Sequence, residues 1–350
     1  MQWRQAAGTV AALMVVGTAT SALAQEQGKP LSLRSQGSFY VGGQIVTTEA
    51  ISGGGTSPVP GIISISHMYV QYQIPHESKY RYPVIMVHGG GHTGKTYETT
   101  PDGREGWFTS FARRGFSPHV VDDPNRGRAC CEPTNIHLVR LGLRPFTALP
   151  STNVYSKQNA WTTFRFGPAY PETYPNSRFP FEAIDQYAPQ WVLTYRDAVE
   201  LDKITAALVA LLDKLGPSIL MTHSQSGPLG LRAALARPEL VKGYVSVEPA
   251  GFGIPAGQSA ATLAGVPILT VFGDYLEFSP GGTGWLTSAR ATLAQVNAAG
   301  GNGTVLVLPE AGIRGNTHMM MMDDNSEQLA DIIEDWIRNN VGGVRGKYRP

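Results

Sequence analysis

From residue 84 onward the sequence alternates short apolar runs with longer stretches of helical spacing, and this alternation limits the possible folds more than any other feature. Runs at 84–87, 117–121, 219–221, 244–247, 268–272 and 305–308 read as buried strands, while 107–114, 201–215, 229–236, 289–299 and 328–339 read as helices. The last of these is amphipathic, with Leu329, Ile332, Ile333, Trp336 and Ile337 on one face. Upstream, 37–49 and 61–74 show β-rich alternation around Gly54-Gly55, which predicts an antiparallel hairpin. Strands that alternate with helices after a hairpin predict an α/β chain with a mostly parallel sheet of about eight strands and helices on both faces. In such sheets the chemistry gathers on loops after the carboxyl ends of strands. That directs attention to residues 88–92, 122–131, 222–227, 248–253, 273–277 and 309–320.

Composition removes several classes of function. The 350 residues carry 28 Lys+Arg against 27 Asp+Glu, so the basic excess of a nucleic-acid binder is missing. Two cysteines can neither staple a disulfide-rich scaffold nor make a four-thiolate zinc site. Arg4, the apolar stretch 6–19 and Ser21-Ala22-Leu23-Ala24 form a secretory signal pattern over residues 1–24. The expectation is an exported chain of residues 25–350, periplasmic or secreted from a bacterium, with no membrane span.

One segment interrupts the alternation. Between Phe146 and Trp191 lie 11 of the 32 aromatic residues, and eight of the 25 prolines fall between 133 and 189. Such proline density forbids long helices and central strands. Residues 129–190 are therefore expected to be a cap over the active site, lined by Trp161, Phe164, Phe166 or their neighbours. A packing insertion or a homodimer contact is the alternative.

The chemistry-bearing motifs fall on the expected loops. Ser218–Gly227 runs from an apolar strand through small residues into a helix, the setting of a nucleophile elbow, with Ser224 at its tip. Thr222 and Ser226 stand where glycine is commoner. His88-Gly89-Gly90-Gly91 follows a strand, where glycines let backbone N–H groups approach a developing oxyanion. Gly90 and Gln225 are the candidate donors. His318, after the last strand, is the candidate general base. His67, His76, His119 and His137 lie elsewhere, and His223 is expected to point away from Ser224. His88 and His92 share a glycine loop rather than a helix face, so no metal site is expected. Two acids compete to orient the base: Asp274 in Val-Phe-Gly-Asp, and Glu248 in Val-Ser-Val-Glu-Pro. Adjacent Cys130 and Cys131 can close a vicinal disulfide in an oxidising compartment, and two free thiols are the alternative.

Taken together, His88-Gly-Gly-Gly, Asp123-Pro-Asn-Arg-Gly-Arg128, Thr222-His-Ser-Gln-Ser-Gly227, Val247-Glu-Pro249 and Gly315-Asn-Thr-His318 resemble the α/β-hydrolase superfamily. More narrowly, they are similar to secreted bacterial esterases with a Ser-Glu-His triad whose glutamate follows the sixth strand. The resemblance covers residues 37–341 outside the insertion. It implies an α/β-hydrolase fold, Glu248 rather than Asp274 as the acid, and no cofactor. The expected function is a serine carboxylic-ester hydrolase acting through an acyl-enzyme on bulky, aryl or medium-chain small-molecule esters. Feruloyl, tannin or polyester hydrolysis and a non-catalytic binding protein are the competing readings.

Overall fold

In the computed structural model the described residues are 30–49, 59–196 and 200–349. The signal pattern at 1–24 and the Gly54-Gly55 turn lie outside them. The chain forms one eight-stranded sheet: β1 (Leu33–Thr48), β2 (Gly61–Pro75), β3 (Val84–Val87), β4 (Pro118–Asp122), β5 (Ser218–His223), β6 (Val241–Val247), β7 (Ile268–Phe272) and β8 (Gly303–Val307). Their spatial order is β1-β2-β4-β3-β5-β6-β7-β8. The first two strands form the expected hairpin, longer than the sequence suggests, and β2 runs antiparallel to β4; every later pairing is parallel.

The parallel strands are buried on both faces and sort their side chains between two cores. Val84, Met86, Ile219, Met221, Val245 and Val247 face one core; there they meet α1 (Trp107–Arg114) and α5 (Ser326–Asn340). Ile85, Val87, Leu220, Tyr244 and Phe272 face the other, covered by α2 (Glu200–Leu215), α3 (Ser226–Ala236) and α4 (Gly282–Ala298). This is the period-two division expected when helices lie on both sides of a sheet. Helix α3 begins three residues earlier than its apolar spacing predicts. Pro228 is tolerated because it falls in the first turn, where no intrahelical N–H bond is needed.

Strand order reverses at β3, which lies between β4 and β5, the position at which such sheets place their ligands. Val87 pairs with Thr222, so the glycine loop after β3 lies beside the turn after β5. Among the described residues, no helix is long and apolar enough to cross a membrane.

The segment between β4 and α2 is built of short elements, within what its proline density allows. It contains helices Thr134–Arg140, Lys157–Thr163 and Ile184–Tyr187 and a small antiparallel pair, Ser151–Asn153 with Thr194–Arg196. Trp161, Phe164 and Phe166 are interior residues, sharing the α1/α5 core with Phe179 and Tyr187. A proline-rich chain that cannot pair its backbone extensively gains its order from buried aromatic area instead.

Candidate active site

Ser224 sits at the tip of the β5–α3 turn with φ 54°, a left-handed conformation rare for a residue with a Cβ. The turn is pinned by Ser224 N–H donating to the Val247 carbonyl (3.0 Å) and Gly227 N–H donating to the Ser224 carbonyl (2.9 Å). Gly89 explains the crowding around it: a Cβ there would lie 2.9 Å from the Ser224 Cβ and 2.8 Å from His223 Nδ1.

The two departures from a glycine-flanked serine have local compensations. The Thr222 hydroxyl lies 3.0 Å from Tyr244 Oη and 2.9 Å from Ser246 Oγ. Its methyl fits because Gly230 of α3 has no side chain, where a Cβ would approach to 2.6 Å. Ser226 Oγ accepts the His223 N–H (3.0 Å) and lies 3.0 Å from the Val87 carbonyl, tying the elbow to β3.

His318 Nε2 lies 2.8 Å from Ser224 Oγ, and its Nδ1 lies 3.3 Å from Glu248 Oε2. Glu248 directly follows β6, also in a left-handed conformation (φ 52°), with its N–H donating to the Val271 carbonyl at 2.8 Å. Its Oε1 accepts the Gly273 N–H at 2.5 Å. The structure therefore brings Ser224, His318 and Glu248 into one contact chain. Asp274 stands apart from the imidazole and braces the loop that carries it: Oδ2 accepts the Gly315 N–H (3.0 Å), and the Asp274 N–H donates to the Asn316 carbonyl (2.8 Å). Asp323 holds the same loop, accepting from Thr317 N–H and Oγ1 (both 2.8 Å) and from Asn316 Nδ2 (2.9 Å). Burial pushes Asp323 up to about 6 despite those bonds.

His223 does not point away as expected. Its Nε2–H donates to the His318 carbonyl (2.9 Å) and its ring lies 4.8 Å from the His318 ring. His88 is tied into the sheet ends, donating from Nδ1 to the Gly89 carbonyl (2.8 Å) and accepting the Asp123 N–H at Nε2 (3.2 Å). Among the described residues, no group of three or more His, Cys, Asp or Glu is arranged to hold a metal ion.

Gly90 and Gln225 adjoin: a Cβ on Gly90 would lie 3.0 Å from Gln225 Oε1. Buried Arg126 fixes that amide, donating from one Nη to Gln225 Oε1 (2.9 Å) and to Glu200 (2.8 Å). Arg128 clamps Asp122 at 2.7 and 3.0 Å, so the Asp-Pro-Asn-Arg-Gly-Arg motif anchors the loop leaving β4. Cys130 and Cys131 follow it with their sulfurs adjacent.

Sequence reasoning missed Arg165. This wholly buried residue of the insertion forms a fork on Glu248, with Nη atoms 2.8 and 2.5 Å from the two carboxylate oxygens. The one local hint is a lone charge between Phe164 and Phe166 in an aromatic stretch. Burial alone would raise the Glu248 carboxyl, but Arg165 and His318 overcome it and bring it down to about 2. His318 itself is lowered from its ordinary value, first by burial and then by the Arg165 charge, against the pull of Glu248.

No protein-family model matches the chain. A probable secreted lipase, phiG, from Fungal sp. (strain ATCC 74256) is 30% identical over 316 residues, covering 77% of this chain and 85% of that protein. A bacterial esterase of known structure superposes with a TM-score of 0.84 at 39% identity, over 89% of this chain and 98% of its own. The chain is an α/β-hydrolase. Its likeness to these two proteins makes this hydrolase a carboxylic-ester hydrolase of the esterase and lipase kind. The sheet predicted from sequence is the one it has.

Proposed function

We propose that the hydrolase cleaves esters by nucleophilic attack of Ser224, with His318 as general base and Glu248 as the acid that orients it. The observation that carries this reading is the 2.8 Å contact between His318 Nε2 and the oxygen of a half-buried serine held on a left-handed turn. His318 removes the hydroxyl proton as Oγ attacks the ester carbonyl, then returns it to the departing alcohol. Water, deprotonated by the same imidazole, releases the acid from the acyl-enzyme. The Gly90 and Gln225 backbone N–H groups are the proposed oxyanion donors. Because burial and Arg165 lower the His318 pKa, the neutral imidazole persists below the ordinary histidine range, and activity should fall only as pH drops through that lowered value.

The substrate is proposed to be a bulky, aryl or medium-chain ester. Half-buried Tyr155 lies against Gly91, whose Cβ would come within 2.5 Å of its ring, and half-buried Trp285 lies 5.9 Å from the His318 ring. These two rings and Phe164, stacked on the imidazole, adjoin the glycine loop and His318, whereas Trp161 and Phe166 lie in the core. The proposal extends to export of residues 25–350 after removal of 1–24, to a cap role for residues 129–190, and to a Cys130–Cys131 disulfide that stiffens the start of that cap.

The test is hydrolysis of p-nitrophenyl esters of graded chain length by wild type and Ser224→Ala. Turnover should vanish with the serine, a loss on the order of 10⁵–10⁶ in kcat. Surviving turnover would reject the nucleophile, and preference for acetate alone would reject the substrate class.

A further inference from the structure

The carboxylate that serves His318 is held more closely by a second partner, which comes from the insertion rather than from the sheet. Arg165 Nη atoms sit 2.8 Å from Glu248 Oε2 and 2.5 Å from Oε1, against 3.3 Å for His318 Nδ1. Glu248 Oε2 is thus shared between guanidinium and imidazole, and one Nη approaches His318 Nδ1 to 3.4 Å. The third guanidinium edge is also used, Nε donating to the Asp274 carbonyl at 2.7 Å. Neither Arg165 nor Glu248 has any exposure to solvent. Arg165 adopts φ 58°, so this backbone, like that of Ser224 and Glu248, is held in a conformation a side chain disfavours. Its neighbour Phe164 completes the attachment: its carbonyl accepts the His318 N–H (3.0 Å), and its ring stacks parallel to the imidazole with centroids 6.0 Å apart.

A buried guanidinium needs a counter-charge, and a buried carboxylate needs the same, which a plain structural ion pair would supply. Two features go beyond that. The fork fixes the carboxylate plane and so decides which oxygen faces His318. It also places a permanent positive charge beside Nδ1 of the ring that becomes cationic when Nε2 accepts the serine proton.

We propose that Arg165 is a positioning residue of the ester hydrolysis, clamping Glu248 for His318 and, by sharing its charge, keeping the imidazole neutral in more acid solution. This rests on reading Ser224, His318 and Glu248 as the catalytic set. The groups that face His318 are few. Glu248 raises its proton affinity and Arg165 lowers it. His223 of β5 donates to its carbonyl, His92 of the glycine loop is a neutral buried ring, and Phe164 and Trp285 carry no charge. Asp323 binds the backbone and side chains of its loop, and Asp274 accepts the Gly315 and Tyr275 N–H groups.

The experiment compares kcat/KM against pH for wild type, Arg165→Lys and Arg165→Met, normalised to active sites counted by the acyl-enzyme burst. Arg165→Met removes the charge, so the acid limb should move up by about one pH unit, costing about tenfold in activity below it. Arg165→Lys keeps the charge without the fork, so its limb should stay in place while kcat falls. An unmoved limb in Arg165→Met, or equal shifts in both variants, would overturn the proposal. Should Arg165→Met not fold, the Glu248→Gln/Arg165→Met pair leaves no uncompensated charge. It should turn over no more slowly than Glu248→Gln alone, whereas multiplied losses would show that Arg165 does not act through Glu248. Turnover in Ser224→Ala would fail the catalytic reading itself, a separate outcome from any of these.

Discussion

The loops at the sheet top and the insertion between β4 and α2 contribute to the same site by different physical routes. Ser224, Glu248 and the glycine loop lie within a few residues of strand ends. Their positions follow from strand register: once Val87 pairs with Thr222, and His223 with Val247, the three turns must adjoin. Phe164 and Arg165 have no such constraint. They reach His318 and Glu248 because Trp161, Phe166, Phe179 and Tyr187 are buried in a core shared with α1 and α5. Backbone pairing places Ser224 and Glu248, and side-chain packing places Phe164 and Arg165 against His318 and Glu248.

The largest effect should separate the two acids at the sheet top. Glu248→Gln removes the anion facing His318 and strands the Arg165 charge, so kcat should fall by about 10³–10⁴. Asp274→Asn keeps an acceptor oxygen for the Gly315 N–H, and the loss should be about tenfold or less, the scale of one weakened charge-assisted hydrogen bond. The reverse ranking would mean that the imidazole turns toward β7 during turnover. Steady-state rates of the two variants decide it.

Next comes the insertion. Phe166 has no solvent exposure and meets the rings of Trp161, Phe164, Phe179, Phe181 and Tyr187. Phe166→Ala should cost about 3–5 kcal/mol, and thermal unfolding should remain one transition displaced as a whole. A separate early transition, with the main one unmoved, would make the insertion a lid that opens independently of the sheet.

What the sequence allowed to be read divides along the same line. The sheet, the elbow at Ser224, the glycine loop and the loop of His318 could be read because each is a local pattern: an apolar run, then small residues or a polar loop. The competition between Glu248 and Asp274 could not be resolved locally, since both follow strands that end side by side in β6 and β7. The family resemblance favours Glu248, and the course of the Gly315–His318 loop agrees in geometry, with its backbone bonded to Asp274 and its imidazole turned toward Glu248. Arg165 was beyond reach for a further reason: it lies in a segment with no periodicity to set its direction, and its partner is 83 positions away. His223 misled because strand alternation says which face a side chain leaves by, not that a carbonyl of a distant loop will meet it there.

A smaller effect tests the crowding at the glycine loop. Gly89→Ala puts a methyl 2.9 Å from the Ser224 Cβ, and displacing the nucleophile should lower kcat by about 10². Gly253→Ala, in open space after Glu248, should leave turnover unchanged. If Gly89→Ala kept full activity, the elbow could yield without loss of alignment, and register would hold the serine less tightly than the pairing of β3 and β5 implies.

The smallest expected effect concerns the residue that makes this elbow unusual. Ser226→Gly restores the commoner glycine, yet it deletes a buried hydroxyl that accepts the His223 N–H and reaches the Val87 and His223 carbonyls. It also introduces glycine at the start of α3. The hydrogen bond contributes about 1 kcal/mol and the helical glycine costs up to about 1 kcal/mol more. Stability should therefore fall by about 1–2 kcal/mol in denaturant titration. The kcat should hold, because the left-handed turn at Ser224 is also pinned from the Val247 carbonyl and the Gly227 N–H. A drop in kcat without a drop in stability would mean that the Ser226 hydroxyl sets the aim of the nucleophile. Strand register alone would then not place the reacting groups, and the sheet top would depend on side-chain bonds much as the insertion does.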